Sequence, residues 1–180
     1  MPNLKGTKTE KNLMEAFAGE SMARGKYTYF AGRAKKAGFE QIAAIFLETA
    51  FNEQEHAKLW FKLLHGGEVP ELEECLKIAA EGEREEWTEM YKRMAEEARD
   101  EGFTDIARQF EMVGQIEKEH EERYLRLLKS VNESTTFKKE ENHTWLCRNC
   151  GFTHTASAAP VLCPVCKHPQ AYFEMKSENY

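Results

Sequence analysis

Two tetrapeptides carry the chemistry most plainly, Glu53-Gln54-Glu55-His56 and Glu117-Lys118-Glu119-His120, each a Glu-x-x-His pair. Residues three apart on a helix lie one turn apart on the same face, so each pair projects a carboxylate and an imidazole together. Two such groups can share a metal ion. A lone Glu-x-x-His is ordinarily a surface salt link or a satisfied core histidine, but the surroundings of these two argue otherwise. At offsets of −11, −7, −4, +7, +10 and +11 from Glu53 stand Ile42, Phe46, Thr49, Trp60, Leu63 and Leu64. The same offsets from Glu117 give Ile106, Phe110, Val113, Tyr124, Leu127 and Leu128. Gly38-Phe39-x-x-Ile42-Ala43 is echoed by Gly102-Phe103-x-x-Ile106-Ala107. The chain therefore contains an internal repeat, with Glu and His in the middle of an apolar stripe in both copies. Carboxylates on a face expected to be buried are costly unless a cation gathers them.

The elements that must position these groups are four helices, expected at about residues 7–36, 40–64, 71–100 and 104–130. Thr7 or Thr9 suits the first N-terminus, Gly38 the turn after it, and Gly66-Gly67-Glu68-Val69-Pro70 stops the second. The first helix carries one inward carboxylate, Glu20, within the stripe Leu13, Ala16, Phe17, Ala23, Tyr27 and Phe30. Glu83 is its counterpart on the third helix. Glu20 precedes Glu53 by 33 residues and Glu83 precedes Glu117 by 34, so the halves are near copies. Glu86 is a surplus carboxylate one turn after Glu83. The inward polar set is thus Glu20, Glu53, His56, Glu83, Glu86, Glu117 and His120. Its oxygen and nitrogen donors suit two iron or manganese ions; zinc favours fewer ligands and calcium does not take imidazole.

Residues 131–143 are polar and without period, which reads as a linker between a bundle over 1–130 and a small domain over 144–180. In that last segment Cys147-Arg148-Asn149-Cys150 and Cys163-Pro164-Val165-Cys166 form two Cys-x-x-Cys knuckles. Four thiolates on two tight turns make a tetrahedral cage for zinc or a single iron, and spacing alone favours a structural zinc ribbon. His154 and His168 are expected to be ordinary surface residues. Cys75 sits on an apolar helical face and reads as a small core residue.

The net charge of −6, with no basic stripe, argues against nucleic acid and anionic membrane as partners. No 18-residue apolar run is present and Met1-Pro2-Asn3-Leu4-Lys5-Gly6 lacks a signal-peptide core, so a cytoplasmic location is expected. Cysteines in a metal pattern agree with that compartment.

One Glu from each of two helices plus Glu-x-x-His from each of the other two is the ligand pattern of ferritin-like di-iron bundles. With Gly19-Glu20-Ser21, Tyr27-Thr28-Tyr29-Phe30-Ala31, Gly82-Glu83-x-x-Glu86, Met90-Tyr91 and the two cysteine knuckles, the chain resembles the rubrerythrin family from about Leu4 to Met175. The fold so implied is mainly α, a ferritin-like four-helix bundle followed by a small rubredoxin-like domain. The resemblance also implies a non-haem di-iron peroxidase that reduces hydrogen peroxide to water in an anaerobe or microaerophile. Iron then replaces zinc at Cys147, Cys150, Cys163 and Cys166. Electrons would come from an NAD(P)H-dependent reductase or a rubredoxin-type carrier. Tyr27 and Tyr91 would hydrogen-bond a ligand carboxylate or the peroxide, and Glu86 and His56 would alternate on one iron. Two rival readings use the same residues: a ferritin-like iron store, and a non-enzymatic scaffold with a zinc ribbon.

The connection between the second and third helices bears on assembly. If these helices run parallel in one bundle, the chain between the ends of the 53–65 and 71–83 spans must return about 36 Å. Residues 66–70 reach only about 20 Å. Unless residues 71–79 unwind, the expected unit is a homodimer domain-swapped at 66–70, with Glu20, Glu53 and His56 of one chain meeting Glu83, Glu86, Glu117 and His120 of another.

Overall fold

The structure, a computed structural model, describes residues 3–178. Two compact units divide at residues 70 and 71. In the first, α1 (Lys8–Lys36) and α2 (Glu40–Leu64) form an antiparallel hairpin. The Thr7 hydroxyl caps α1 by accepting from the Glu10 N–H at 3.1 Å, while Glu10 reaches back to the Gly6 N–H. Both α1 and α2 end within a residue of the limits that their caps predict.

In the second unit α3 (Leu72–Glu85), a single π turn (Glu86–Met90) and α4 (Tyr91–Asp100) follow one another, and all three pack on α5 (Thr104–Asn132). One uninterrupted helix was expected over 71–100. The π turn breaks it: the Tyr91 N–H reaches back five residues to the Glu86 carbonyl, a looser bond pattern that accommodates one extra residue.

The repeat extends to the turns. Gly38 (φ +82°) and Gly102 (φ +87°) take left-handed conformations, and the N–H groups of Phe39 and Phe103 return to Ala34 and Ala98. These are equivalent Schellman closures, a conformation that favours glycine.

Each hairpin is packed along a seam of small residues. Ala31, Ala34, Ala43, Ala50 and Ala57 are buried in the first, and Ala80, Ala95, Ala98, Ala107 and Gly114 in the second. The large apolar residues of the predicted stripe stand elsewhere. Ile42, Leu63, Ile106 and Leu127 are exposed in the single chain, and Phe46 and Phe110 half-buried, so the stripe is not a closed core within either hairpin. Small seam residues let the helix axes approach closely, which is what brings side chains of the two helices together.

The C-terminal part is a three-stranded antiparallel sheet of order β2-β1-β3, with β1 Lys138–Cys147, β2 Thr153–Ala158 and β3 Phe173–Met175. Residues 138–143 were expected to be linker and instead begin β1, where Lys138 pairs with Ala158 and the register shifts before His143. Its charged side chains mask a strand whose partner lies well downstream. Trp145, Cys147, Ala159, Cys163 and Phe173 make the core, and the Trp145 indole donates to the Ala156 carbonyl at 3.0 Å.

Ala43 has no solvent exposure. Enlarging it in Ala43→Leu is expected to overpack the seam and lower stability by about 1–3 kcal/mol. A urea-unfolding midpoint equal to that of the parent would contradict the tight seam.

Candidate metal centre

The hairpin seam sets the first group. Glu20 on α1 faces Glu53 and His56 on α2, and one donor atom from each lies within 4.8 Å of the others. His56 Nδ1 stands 2.9 Å from Glu53 Oε2 and 3.8 Å from Glu20 Oε1. The second group copies it: His120 Nδ1 is 2.7 Å from Glu117 Oε2 and 3.7 Å from Glu83 Oε1. Glu53 and Glu117 are the better covered members, with side-chain exposures of 16% and 14%. His56 is more open than its place in the stripe predicts, at 55% against 34% for His120.

The electrostatics of the second group are those of crowded acids. Burial, then the charge of Glu117, raises the Glu83 carboxyl above the usual range, with Glu86 adding to the effect and His120 opposing it. Burial and the charges of Glu86, Glu117 and Glu83 likewise raise the Tyr91 phenol. Glu86 belongs to neither three-residue group, yet its charge bears on both Glu83 and Tyr91. The two tyrosines hold matching places, Tyr27 with its ring 6.2 Å from Phe46 and Tyr91 with its ring 6.1 Å from Phe110.

Sequence reasoning noted Glu121 within the motif Glu117-x-x-His120-Glu121 but gave it no role of its own. It is buried at 9% exposure and accepts a 2.6 Å hydrogen bond from Trp87 Nε1. A carboxylate directly after His120 on a helical face was the available signal.

In the tail, Cys147, Cys150, Cys163 and Cys166 gather with their sulfurs within 4.8 Å of one another. Two contacts of 3.7 Å, Cys147 to Cys166 and Cys150 to Cys163, cross between the knuckles. Each knuckle ends on a left-handed residue, Gly151 at φ +78° and Lys167 at φ +61°, whose N–H returns to Cys147 or Cys163. Among these thiols Cys166 is lowered to about 5, chiefly by the His168 backbone N–H. Cys150 is pushed up to about 12, because desolvation and the other sulfurs outweigh the Phe152 N–H that lowers it. Four packed sulfurs do not all ionise without a cation, so this donor set fits a thiolate-bound metal. His154 is exposed as expected. His168 is half-buried, with Nδ1 3.3 Å from the Cys166 carbonyl and its ring 4.4 Å from that of Tyr172.

Fold and donors together define a class, a ferritin-like helical protein with a di-iron carboxylate set and a rubredoxin-like four-cysteine iron site. Residues 11–128 match the rubrerythrin family model, and residues 145–174 match that of the rubrerythrin, rubredoxin-like domain. The chain belongs to the rubrerythrin family. It is 50% identical to rubrerythrin of Porphyromonas gingivalis, an alignment covering 99% of this chain and 94% of that protein. It is 49% identical to rubrerythrin-1 of Clostridium acetobutylicum and 46% to rubrerythrin of Nitratidesulfovibrio vulgaris, with both chains covered in full. The rubredoxin-like domain implies a role in electron transfer, and the family an oxidoreductase. No helix among the described residues is long and apolar enough to cross a membrane.

Since each group depends on its own glutamates, Glu53→Ala and Glu117→Ala are each expected to lose a bundle iron while keeping the four-cysteine iron. Iron counting against the thiolate absorption band checks this, and a variant with its full iron complement would contradict it.

Proposed function

We propose that this protein is a cytoplasmic hydrogen peroxide reductase, protecting an anaerobe or microaerophile from oxidative stress. The observation that carries this reading is the presence, in one chain, of two matched carboxylate–histidine groups and a four-sulfur site. The bundle irons would be held by Glu20, Glu53, His56, Glu83, Glu86, Glu117 and His120. Iron held there would supply, as two ferrous ions, the two electrons that convert H2O2 and two protons to two waters, so no radical need be released.

The chain's own groups orient the substrate and manage charge. Tyr91 lies within the field of Glu86, Glu117 and Glu83, and Tyr27 holds the matching place against Phe46; from there each phenol would donate to a ligand oxygen or to the peroxide. Burial and the charges of Glu86, Glu117 and Glu83 raise the Tyr91 phenol, which favours its donor form. Glu86 and His56 would alternate in holding one iron, the anionic carboxylate suiting the ferric state and the neutral imidazole the ferrous one. Electrons enter from an NAD(P)H-dependent reductase, directly or through a rubredoxin-type carrier, at Cys147, Cys150, Cys163 and Cys166.

Assembly completes the site in this reading. The helical start of α3 at Leu72 supports this reading, since the expected alternative was an unwound 71–79. Large apolar residues exposed on each hairpin favour a partner face of the same kind, and Trp60 Nε1 is buried without an acceptor among the described residues. A second copy that exchanges hairpins at 66–70 supplies both.

Two outcomes are expected. Cys147→Ser stops NAD(P)H-driven turnover, while its chemically reduced bundle still consumes one equivalent of peroxide; undiminished NAD(P)H-driven turnover would remove the tail from the electron path. Inactive Glu53→Ala and Glu117→Ala chains, unfolded and refolded together, recover part of the activity, because one site of a swapped heterodimer collects both lesions. No recovery under confirmed subunit exchange would defeat the swap.

A further inference from the structure

Three departures from the repeat converge on one place. Glu20 precedes Tyr27 by seven residues, whereas Glu83 precedes Tyr91 by eight, although the two tyrosines occupy matching positions against Phe46 and Phe110. The added residue is absorbed by the π turn Glu86–Met90. Trp87 lies inside that turn and crosses to α5, where its Nε1 donates to the buried Glu121. Four residues after Glu20 and Glu53, the first hairpin instead has Arg24 and the buried Ala57. Third, Gly114 replaces the residue that is Ala50 in the first copy, and a Cβ there would come within 3.3 Å of Tyr91 Cβ.

We propose that Trp87, Glu121 and Gly114 are positioning residues that clamp the π turn onto α5 and so fix Glu86 and Tyr91 on the acidic face of the second hairpin. A π turn is intrinsically poorer in hydrogen-bond geometry than the α-helix around it, so it persists where tertiary contacts hold it. The indole donates to a buried carboxylate oxygen, and burial of Glu121 makes the loss of that bond expensive. Lys118 Nζ lies 5.5 Å from the Trp87 ring centroid, a cation that reinforces the same contact. Gly114 acts sterically, because a Cβ at that place on α5 would crowd Tyr91, the first residue after the turn. Delivery of a seventh donor to one hairpin alone is the consequence, and this clause rests on the proposed metal site.

The clamp itself is tested without metal. Amide hydrogen exchange of the metal-free full chain is expected to quicken by about tenfold at residues 86–91 in Trp87→Phe and in Gly114→Ala. Glu121→Gln, which still offers the indole an oxygen, should stay near the parent, and unchanged exchange elsewhere in α4 and α5 shows that the second hairpin of each variant folds. The consequence is read by Mn2+ competition against a chromophoric chelator, where Trp87→Phe should weaken binding to the same extent as Glu86→Ala. Unchanged exchange at 86–91 in both clamp variants overturns the proposal. Faster exchange with Mn2+ affinity unlike that of Glu86→Ala overturns the positioning of Glu86. Failure of the parent to bind Mn2+ in the bundle would instead refute the metal-site reading, with the exchange result still deciding the clamp.

Discussion

The structure depends on holding several acids against one another on a helical face. A glutamate from one helix and a Glu-x-x-His pair from its neighbour meet only because alanines line the seam between them; larger residues there would hold the axes apart. The resulting crowding is visible in Glu83, whose carboxyl is raised by burial and by Glu117. A cation reverses that cost, turning mutual repulsion into shared attraction. The tail solves the same problem with sulfur, where one thiol near 5 and another near 12 mark a cluster that is not fully ionised without a metal.

Around this constraint the two hairpins are copies, down to the left-handed glycines at 38 and 102. Their differences are therefore informative. The second hairpin alone has the extra residue, the π turn, and the Trp87–Glu121 bond, and it alone carries Glu86. A duplicated scaffold with one modified half gives its two donor groups unlike surroundings.

Much of this was legible in the residues. The second helix ends where Gly66 and Gly67 require, and the in-register stripes pair Glu20 with the 53–56 pair and Glu83 with the 117–120 pair. Cysteine spacing located the tail site, but spacing could not choose iron over zinc; that came from resemblance. The π turn was hidden because the apolar pattern through Trp87, Met90 and Met94 still reads as helical, and its trace was the one-residue excess between Glu83 and Glu117. The strand at 138–143 was hidden by its Lys, Glu and Asn residues, whose pairing with β2 is a nonlocal event. Burial of the stripe was overread, since periodicity identifies an apolar face without saying which chain covers it.

The central claim is that the bundle delivers electrons to peroxide in pairs and is refilled from the four-cysteine iron. Anaerobic titration of the fully reduced protein with H2O2, followed by Mössbauer and visible spectra, tests it most directly. The account predicts that each peroxide oxidises two bundle ferrous ions with no hydroxyl radical trapped, and that the thiolate-bound iron is oxidised only afterwards, through the bundle. Oxidation of the four-cysteine iron with the bundle left ferrous, or trapped hydroxyl radical in proportion to the peroxide consumed, would contradict it.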